Sequence, residues 1–218
     1  MFYQSRKLLF SMTIKTAINK MVIVDYGLGN LASVVNALEK LKIPYEISCD
    51  INVLKNAKAL ILPGVGAAGR GMENLKKRGI DQVIIEQAKK GTPILGICLG
   101  MQLLLTLSEE DNVDCLGLIK GKVKKFDTDL KVPQIGWNQV EAKNSVLLND
   151  IKNNSYFYFV DSYYCKPADE SLVKGITEYG LKFCSVLEKD NLYGVQFHPE
   201  KSGDTGLKLL KNFWEVLC

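Results

Sequence analysis

From Met21 onward the chain alternates apolar runs of strand length with segments of helical period, and this alternation restricts its fold more than any other feature. Met21–Asp25 reads as a buried strand, and Asn30–Leu41 as a helix with Leu31, Val34, Val35, Leu38 and Leu41 on one stripe. Ile43–Ser48 and Lys58–Leu62 read as strands and Ile80–Lys90 as a helix. Pro93–Ile97 reads as a short strand leading into a helix over Leu99–Leu107. Strand-helix alternation with short connections predicts an α/β fold with a parallel, doubly wound sheet and helices on both faces.

After about residue 116 the texture changes. Gly117–Phe126, Val132–Val140, Tyr156–Val160, Val173–Thr177, Leu181–Leu187 and Tyr193–Phe197 are rich in Val, Tyr and Phe, and helical period returns only at Leu207–Leu217. The second half is therefore expected to add mostly antiparallel strands to the same sheet. No Pro-, Gly- or Ser-rich linker divides the halves, so residues 21–218 form a single expected domain. Residues 1–20 stand apart, with Arg6, Lys7, Lys15 and Lys20 and no acid. They read as a non-catalytic extension, either transit-like or set by an upstream start codon, since Met21 opens a typical first strand.

Charge and cysteine usage remove several function classes. The net charge of +4 comes from that first segment, and residues 21–218 carry equal numbers of each sign, so composition supplies no nucleic-acid-binding surface. The uncharged stretch Gly91–Ser108 contains Pro93, three glycines and Gln102, which suits a buried strand, turn and helix better than a membrane span. Six cysteines without a C-x-x-C pair argue against a disulfide framework or a zinc knuckle, and point to a reducing cytoplasm.

Three segments can carry chemistry. In G-I-C-L-G (Gly96–Gly100) a cysteine sits between an expected strand and an expected helix. A nucleophile on a sharp strand-to-helix turn needs small residues two positions away on either side, which Gly96 and Gly100 supply. A helix N-terminus favours the thiolate, and the Leu99 N–H would face an oxyanion formed at Cys98. The bland alternative is a buried packing cysteine. In F-H-P-E (Phe197–Glu200) stands His198, the only histidine of the chain, so imidazole acid-base chemistry has one candidate. Glu200, two residues on along a segment expected to be extended, would project to the same face and hold the ring in one tautomer. L-P-G-V-G (Leu62–Gly66) follows a strand, where exposed N–H groups can meet an oxyanion. It is not a phosphate loop, lacking G-K-[ST], and no dinucleotide fingerprint follows the first strand, where Gly27 and Gly29 are followed by Asn30, Leu31 and Ala32.

Together, G-I-C-L-G-M-Q (Gly96–Gln102), L-P-G-V-G and F-H-P-E-K (Phe197–Lys201) resemble the class I, triad-type glutamine amidotransferases. Within them, D-Y-G-x-G-N-L (Asp25–Leu31), G-W-N (Gly136–Asn138) and Y-F-V-x-S-Y (Tyr158–Tyr163) resemble the glutaminase subunits of imidazole glycerol phosphate synthase in histidine biosynthesis. The resemblance implies a flavodoxin-like amidotransferase fold, with Cys98 as nucleophile, His198 as general base and acid and Glu200 as its orienting group. It implies Leu99, Val65 and Gly66 as the backbone oxyanion hole, and Gly64, Gln102, Ser162 and Tyr163 around glutamine. Asn30, Trp137, Asn138 and Lys201 match positions facing a (β/α)8 barrel synthase, in a heterodimer that needs no cofactor or metal and touches no nucleic acid or membrane.

Two positions depart from that pattern. Relatives usually read P-H-M-G-W-N and F-V-H-S-Y, where this chain has Gln134 and Asp161 in place of the histidines. Both border expected interface motifs, which opens a second reading: a paralogue feeding a barrel synthase that amidates a surface-polysaccharide sugar nucleotide. A cysteine peptidase-like hydrolase using Cys98 and His198, and a non-enzymatic interaction module, are further alternatives.

Overall fold

The computed structural model describes residues 20–216, so the expected extension over residues 1–20 lies outside the described residues except for Lys20. In chain order the first half comprises β1 (Met21–Val24), α1 (Leu31–Lys40), β2 (Tyr45–Ser48), α2 (Ile51–Lys55), β3 (Ala59–Gly64), α3 (Ala68–Lys77), α4 (Ile80–Lys89), β4 (Ile94–Cys98) and α5 (Leu99–Leu103). The second half comprises β5 (Leu107–Ser108), β6 (Val113–Asp114), β7 (Gly121–Lys125), β8 (Gln134–Ala142), β9 (Ser155–Asp161), β10 (Tyr163–Pro167), β11 (Val173–Glu178), β12 (Lys182–Lys189) and β13 (Leu192–Val195). A 3-10 turn at Pro199–Lys201 and α6 (Gly203–Glu215) complete it.

The parallel strands lie in the order β2-β1-β3-β4-β13, and β12 then pairs antiparallel with β13 to begin the second half of the sheet. The central strands are buried on both faces because helices cover both. Met21, Ile23, Ile61, Leu95 and Ile97 pack with Val34 and Leu38 of α1 and Leu209, Leu210 and Phe213 of α6. Val22, Val24, Leu60, Leu62 and Ile94 pack on the opposite side with Leu54 of α2, Met72 of α3, Ile84 of α4 and Leu99 of α5. Each such side chain contributes roughly 1.5–3 kcal/mol on burial, which is why these strands read as continuous apolar runs.

The helix expected over Leu99–Leu107 stops at Leu103, because Leu107 and Ser108 leave it to pair with Lys122 and Val123 of β7. Among the described residues no helix is long and apolar enough to cross a membrane. One consequence of the strand order matters most. β3, β4 and β13 are adjacent, so their carboxyl ends bring Gly64, Cys98 and the segment leading to His198 together at one edge of the parallel sheet, where open α/β folds bind ligands.

Candidate active site

Cys98 ends β4 with φ +54° and ψ −111°, a backbone conformation that L-residues rarely adopt and that costs on the order of 1–3 kcal/mol. The strain turns the chain from strand into α5 within one residue and leaves Cys98 at the bend. The expected need for small flanking residues is met in detail. A Cβ on Gly96 would lie 2.6 Å from backbone atoms of Gly100 and Met101, and one on Gly100 would collide with the Leu62 carbonyl oxygen. Gly64 lies opposite Cys98 in the β3–β4 register and has no room for a Cβ between Tyr26 and Leu99. Because α5 has only five residues, its dipole at Cys98 is weaker than that of the longer expected helix.

His198 and Glu200 meet as expected, but through a different local geometry. The segment is not extended throughout: Pro199 opens a 3-10 turn, and the turn carries Glu200 back so that its Oε1 lies 2.8 Å from His198 Nδ1. Both side chains are almost fully buried. The His198 N–H donates to the Tyr158 carbonyl at 2.8 Å, and its own carbonyl accepts from Ser202 Oγ at 2.7 Å, which fixes the histidine backbone against β9. Burial alone would lower the imidazole pKa. Hydrogen bonds and charge interactions with Cys98 and Glu200 outweigh it and push the pKa up to about 10. The imidazolium is thus favoured when Cys98 is a thiolate, and the Cys98-His198-Glu200 chain can both keep sulfur ionised and deliver a proton.

Gln196, which the motif reading passes over, also reaches the sulfur. It is completely buried, and its Nε2 donates to Cys98 Sγ at 3.8 Å. Its signal in the sequence is positional: Gln196 stands two residues before His198, directly after the apolar strand β13. Gln102, expected near substrate, donates through Nε2 to the Tyr163 carbonyl at 3.1 Å and to Gln196 Oε1 at 3.3 Å, tying α5 to the start of β10.

The remaining expected residues gather nearby with varied duties. Leu99 opens α5, while Val65 and Gly66 follow β3, with Val65 46% exposed and Gly66 at φ +117°. Ser162 connects β9 to β10, which Tyr163 opens, and the Ser162 carbonyl accepts from the Phe126 N–H at 3.1 Å. Beside them lies an acidic run that the motif reading also passes over. Glu110 accepts from the Ala68 N–H at 2.9 Å and Asp111 from the Gly69 N–H at 3.1 Å, capping α3. Burial raises the Tyr163 pKa, and the charges of Glu110, Asp111 and Glu109 raise it further. A cleft of about 660 Å³ between Thr106, Lys122 and Lys166 shares no residue with this site. Among the described residues no group of three metal-ligating side chains is disposed to hold an ion.

The residues expected at a partner interface divide into two kinds. Trp137 is 56% exposed and packs edge-on against Tyr158, over whose ring the Lys201 ammonium lies at 5.9 Å. Asn30 and Asn138 have internal work: Asn30 Oδ1 caps α1 by accepting from the Ser33 N–H at 3.3 Å, and Asn138 Nδ2 donates to the Glu178 carbonyl at 2.9 Å.

Gln134 and Asp161, which border the expected interface motifs, are not surface positions. They face each other across the β8–β9 pair, 3% and 5% exposed, and their side-chain oxygens and the Gln134 amide nitrogen have no partner. Burial pushes the Asp161 pKa up to about 8, against a small opposing pull from His198. The pair therefore belongs to the interior, with Asp161 close enough to His198 to feel its charge.

A strained cysteine at a strand-to-helix turn, a buried histidine-carboxylate pair beside it and this sheet order define a class of enzyme rather than a binding module. Residues 22–216 match the family described as "Glutamine amidotransferase class-I", and the chain belongs to that family. More narrowly, it is 49% identical over 195 residues to a protein of Herpetosiphon aurantiacus named "Imidazole glycerol phosphate synthase subunit HisH", covering 89% of this chain and 93% of that one. A protein of Moorella thermoacetica with the same name is 48% identical over 197 residues, covering 89% and 94%. Among solved structures, one described as a glutamine amidotransferase superposes with a TM-score of 0.72 at 19% identity, covering 90% of this chain and 98% of that one. PurLQS from Thermotoga maritima superposes at 0.68 and 20% identity, covering 91% and 99%. These last two likenesses bear on the fold alone, a mixed, mostly parallel α/β sheet.

Proposed function

We propose that the chain is the glutaminase subunit of an imidazole glycerol phosphate synthase and hydrolyses L-glutamine through Cys98, His198 and Glu200. The observation that carries the mechanism is the continuous chain from the strained Cys98 to the buried His198 and on to Glu200 at 2.8 Å. The Cys98 thiolate attacks the side-chain carboxamide carbon, a C–S bond forms, and the carbonyl electrons move onto oxygen. Backbone N–H groups of Leu99 and of the Val65–Gly66 turn stabilise that oxyanion. Collapse breaks the C–N bond, and the His198 imidazolium gives its proton to the departing ammonia. Neutral His198 then takes a proton from water, which attacks the thioester, and glutamate leaves as the thiolate returns. Gly64, Gln102, Ser162 and Tyr163 surround the substrate.

Ammonia released at a buried site is useful only if an acceptor receives it before it leaks to solvent, so a synthase subunit must dock. We place a (β/α)8 barrel cyclase on the outer face of β8 and β9, where Ile135 (63%), Trp137 (56%) and Tyr156 (54%) are exposed on one side of the sheet and Lys201 lies at the rim. That mixture of aromatic centre and polar rim suits a shape-matched interface. Asn30 and Asn138 shape its edges. The free thiols of the described cysteines suit a reducing, cytoplasmic setting. The sugar-nucleotide alternative draws on Gln134 and Asp161 bordering the interface motifs, and both side chains are buried rather than offered to a partner. The test mixes the protein with the barrel cyclase of a histidine-producing organism. Imidazole glycerol phosphate formed from glutamine is expected. Formation from ammonium salts only, with glutamine inert, would refute the proposal.

A further inference from the structure

Cys98 Sγ has a second polar neighbour besides the imidazole, and the direction of that contact is imposed by a chain of amides. The Tyr163 carbonyl can only accept, so Gln102 must turn its NH2 group toward it at 3.1 Å. The same NH2 group reaches Gln196 at 3.3 Å, which requires Gln196 to present its oxygen there. The Gln196 amide is planar, so its NH2 group is left facing Cys98 Sγ at 3.8 Å. No part of Gln196 is exposed, and Gln102 is 5% exposed, so the two amides are shielded from bulk water and find their partners in each other and in the protein. An N–H aimed at sulfur in a dry site favours the thiolate, which accepts hydrogen bonds far better than the thiol. In the thiol state, Sγ can instead donate to the Val160 carbonyl, also at 3.8 Å.

We infer that Gln196 is a positioning residue for the nucleophile: its amide holds the Cys98 thiolate in the line of attack, and Gln102 acts through it by fixing which end of the amide faces sulfur. This rests on Cys98 being the nucleophile of the proposed glutaminase. Other titratable groups bear on the same sulfur. His198 hydrogen-bonds it, with Glu200 behind the imidazole. Tyr26 from the loop after β1 and Cys165 from β10 interact with Cys98 electrostatically, and Asp161 of β9 interacts with His198. As pH rises, these ionisable groups become neutral or negative, whereas the Gln196 amide does not titrate. Its effect is therefore a uniform displacement of the sulfur's titration and not an added step.

The experiment is the pH dependence of Cys98 alkylation by iodoacetamide, resolved from the other cysteines by peptide mass spectrometry, in the full chain and in Gln196→Met and Gln196→Glu. Methionine keeps length and removes the donor, while glutamate keeps shape and places an acceptor against sulfur. The alkylation midpoint is expected to rise by about one pH unit or more in both, the tenfold loss of thiolate that one hydrogen bond to a charged group implies. kcat for glutamine is expected to fall at least about tenfold with KM within threefold. In the unmodified protein, the Gln196 side-chain amide resonances should shift with the same midpoint, a reading that needs no variant to fold. Superimposable alkylation profiles, or amide resonances blind to Cys98 ionisation, would overturn the inference. A shifted alkylation profile in a protein that never hydrolyses glutamine would leave it standing and refute the glutaminase reading instead.

Discussion

Replacing Gly100 by alanine sets two effects of similar size against each other. Gly100 lies inside α5, where alanine gains about 1 kcal/mol over glycine from helix propensity alone. The added methyl, however, would collide with the Leu62 carbonyl oxygen and lie 2.8 Å from the Leu62 carbonyl carbon. Leu62 cannot retreat, since β3 is held in register between β1 and β4 with Leu62 opposite Gly96. The helix must move instead, and overpacking of this kind costs about 1–3 kcal/mol or more. A clash with fixed backbone atoms falls in the upper part of that range, about 2–3 kcal/mol, so packing wins with a net loss of about 1–2 kcal/mol. With a urea m-value of about 2 kcal/mol/M, the midpoint should drop by about 0.5–1 M at unchanged m. Moving α5 also moves Cys98 against His198, and a displacement of about 1 Å costs on the order of a hundredfold in turnover. Urea unfolding followed by fluorescence, with glutaminase rates on the same sample, reads both. A midpoint at or above that of the unmodified protein with activity retained would refute the close approach of α5 to β3.

Asp161→Asn should reverse a pH trend. The native state prefers the neutral acid, with its pKa near 8 against 3.8, so the unmodified protein is fully stabilised below about pH 4 and loses that contribution as pH rises toward 8. The loss is at most about 6 kcal/mol. The asparagine variant cannot ionise, and its urea midpoint should gain on the unmodified protein between pH 5 and 9; parallel curves would show that Asp161 is not held neutral. Trp137→Ala, at an exposed position, should leave unfolding within about 0.5 kcal/mol and basal glutamine hydrolysis unchanged, while weakening association with the barrel subunit by at least tenfold in a titration. A chain beginning at Met21 should keep its thermal midpoint and its partner-stimulated rate, and loss of either would give residues 1–20 a role on the domain or its partner.

How much of this was legible depends on where each residue's signal lies. The parallel strands were readable because burial on both faces makes them continuous apolar runs, as Ala59–Leu62 and Ile94–Ile97 show. α3 was not, because its opening Ala68–Gly69–Arg70–Gly71 looks like loop, and it is held by carboxylates 42 residues away. Leu103 to Leu107 has the composition of a longer helix, and only pairing with β7 ends it. Cys98, His198 and Glu200 were legible because each carries its chemistry locally, Cys98 between glycines two positions away on either side and His198 two residues before Glu200. Gln196 carries no chemistry of its own until strand order puts it beside Cys98. The Gln134–Asp161 pairing depends on the register of two strands, which local pattern does not encode.

The central claim is that one sulfur performs the chemistry, and the most direct measurement is labelling by a glutamine-derived chloroketone followed by peptide mapping. One adduct per chain is expected, on Cys98, suppressed by glutamine in proportion to its occupancy and slowed by orders of magnitude in His198→Asn. An adduct on another cysteine, or full glutaminase activity in a protein whose Cys98 is already alkylated, would contradict it.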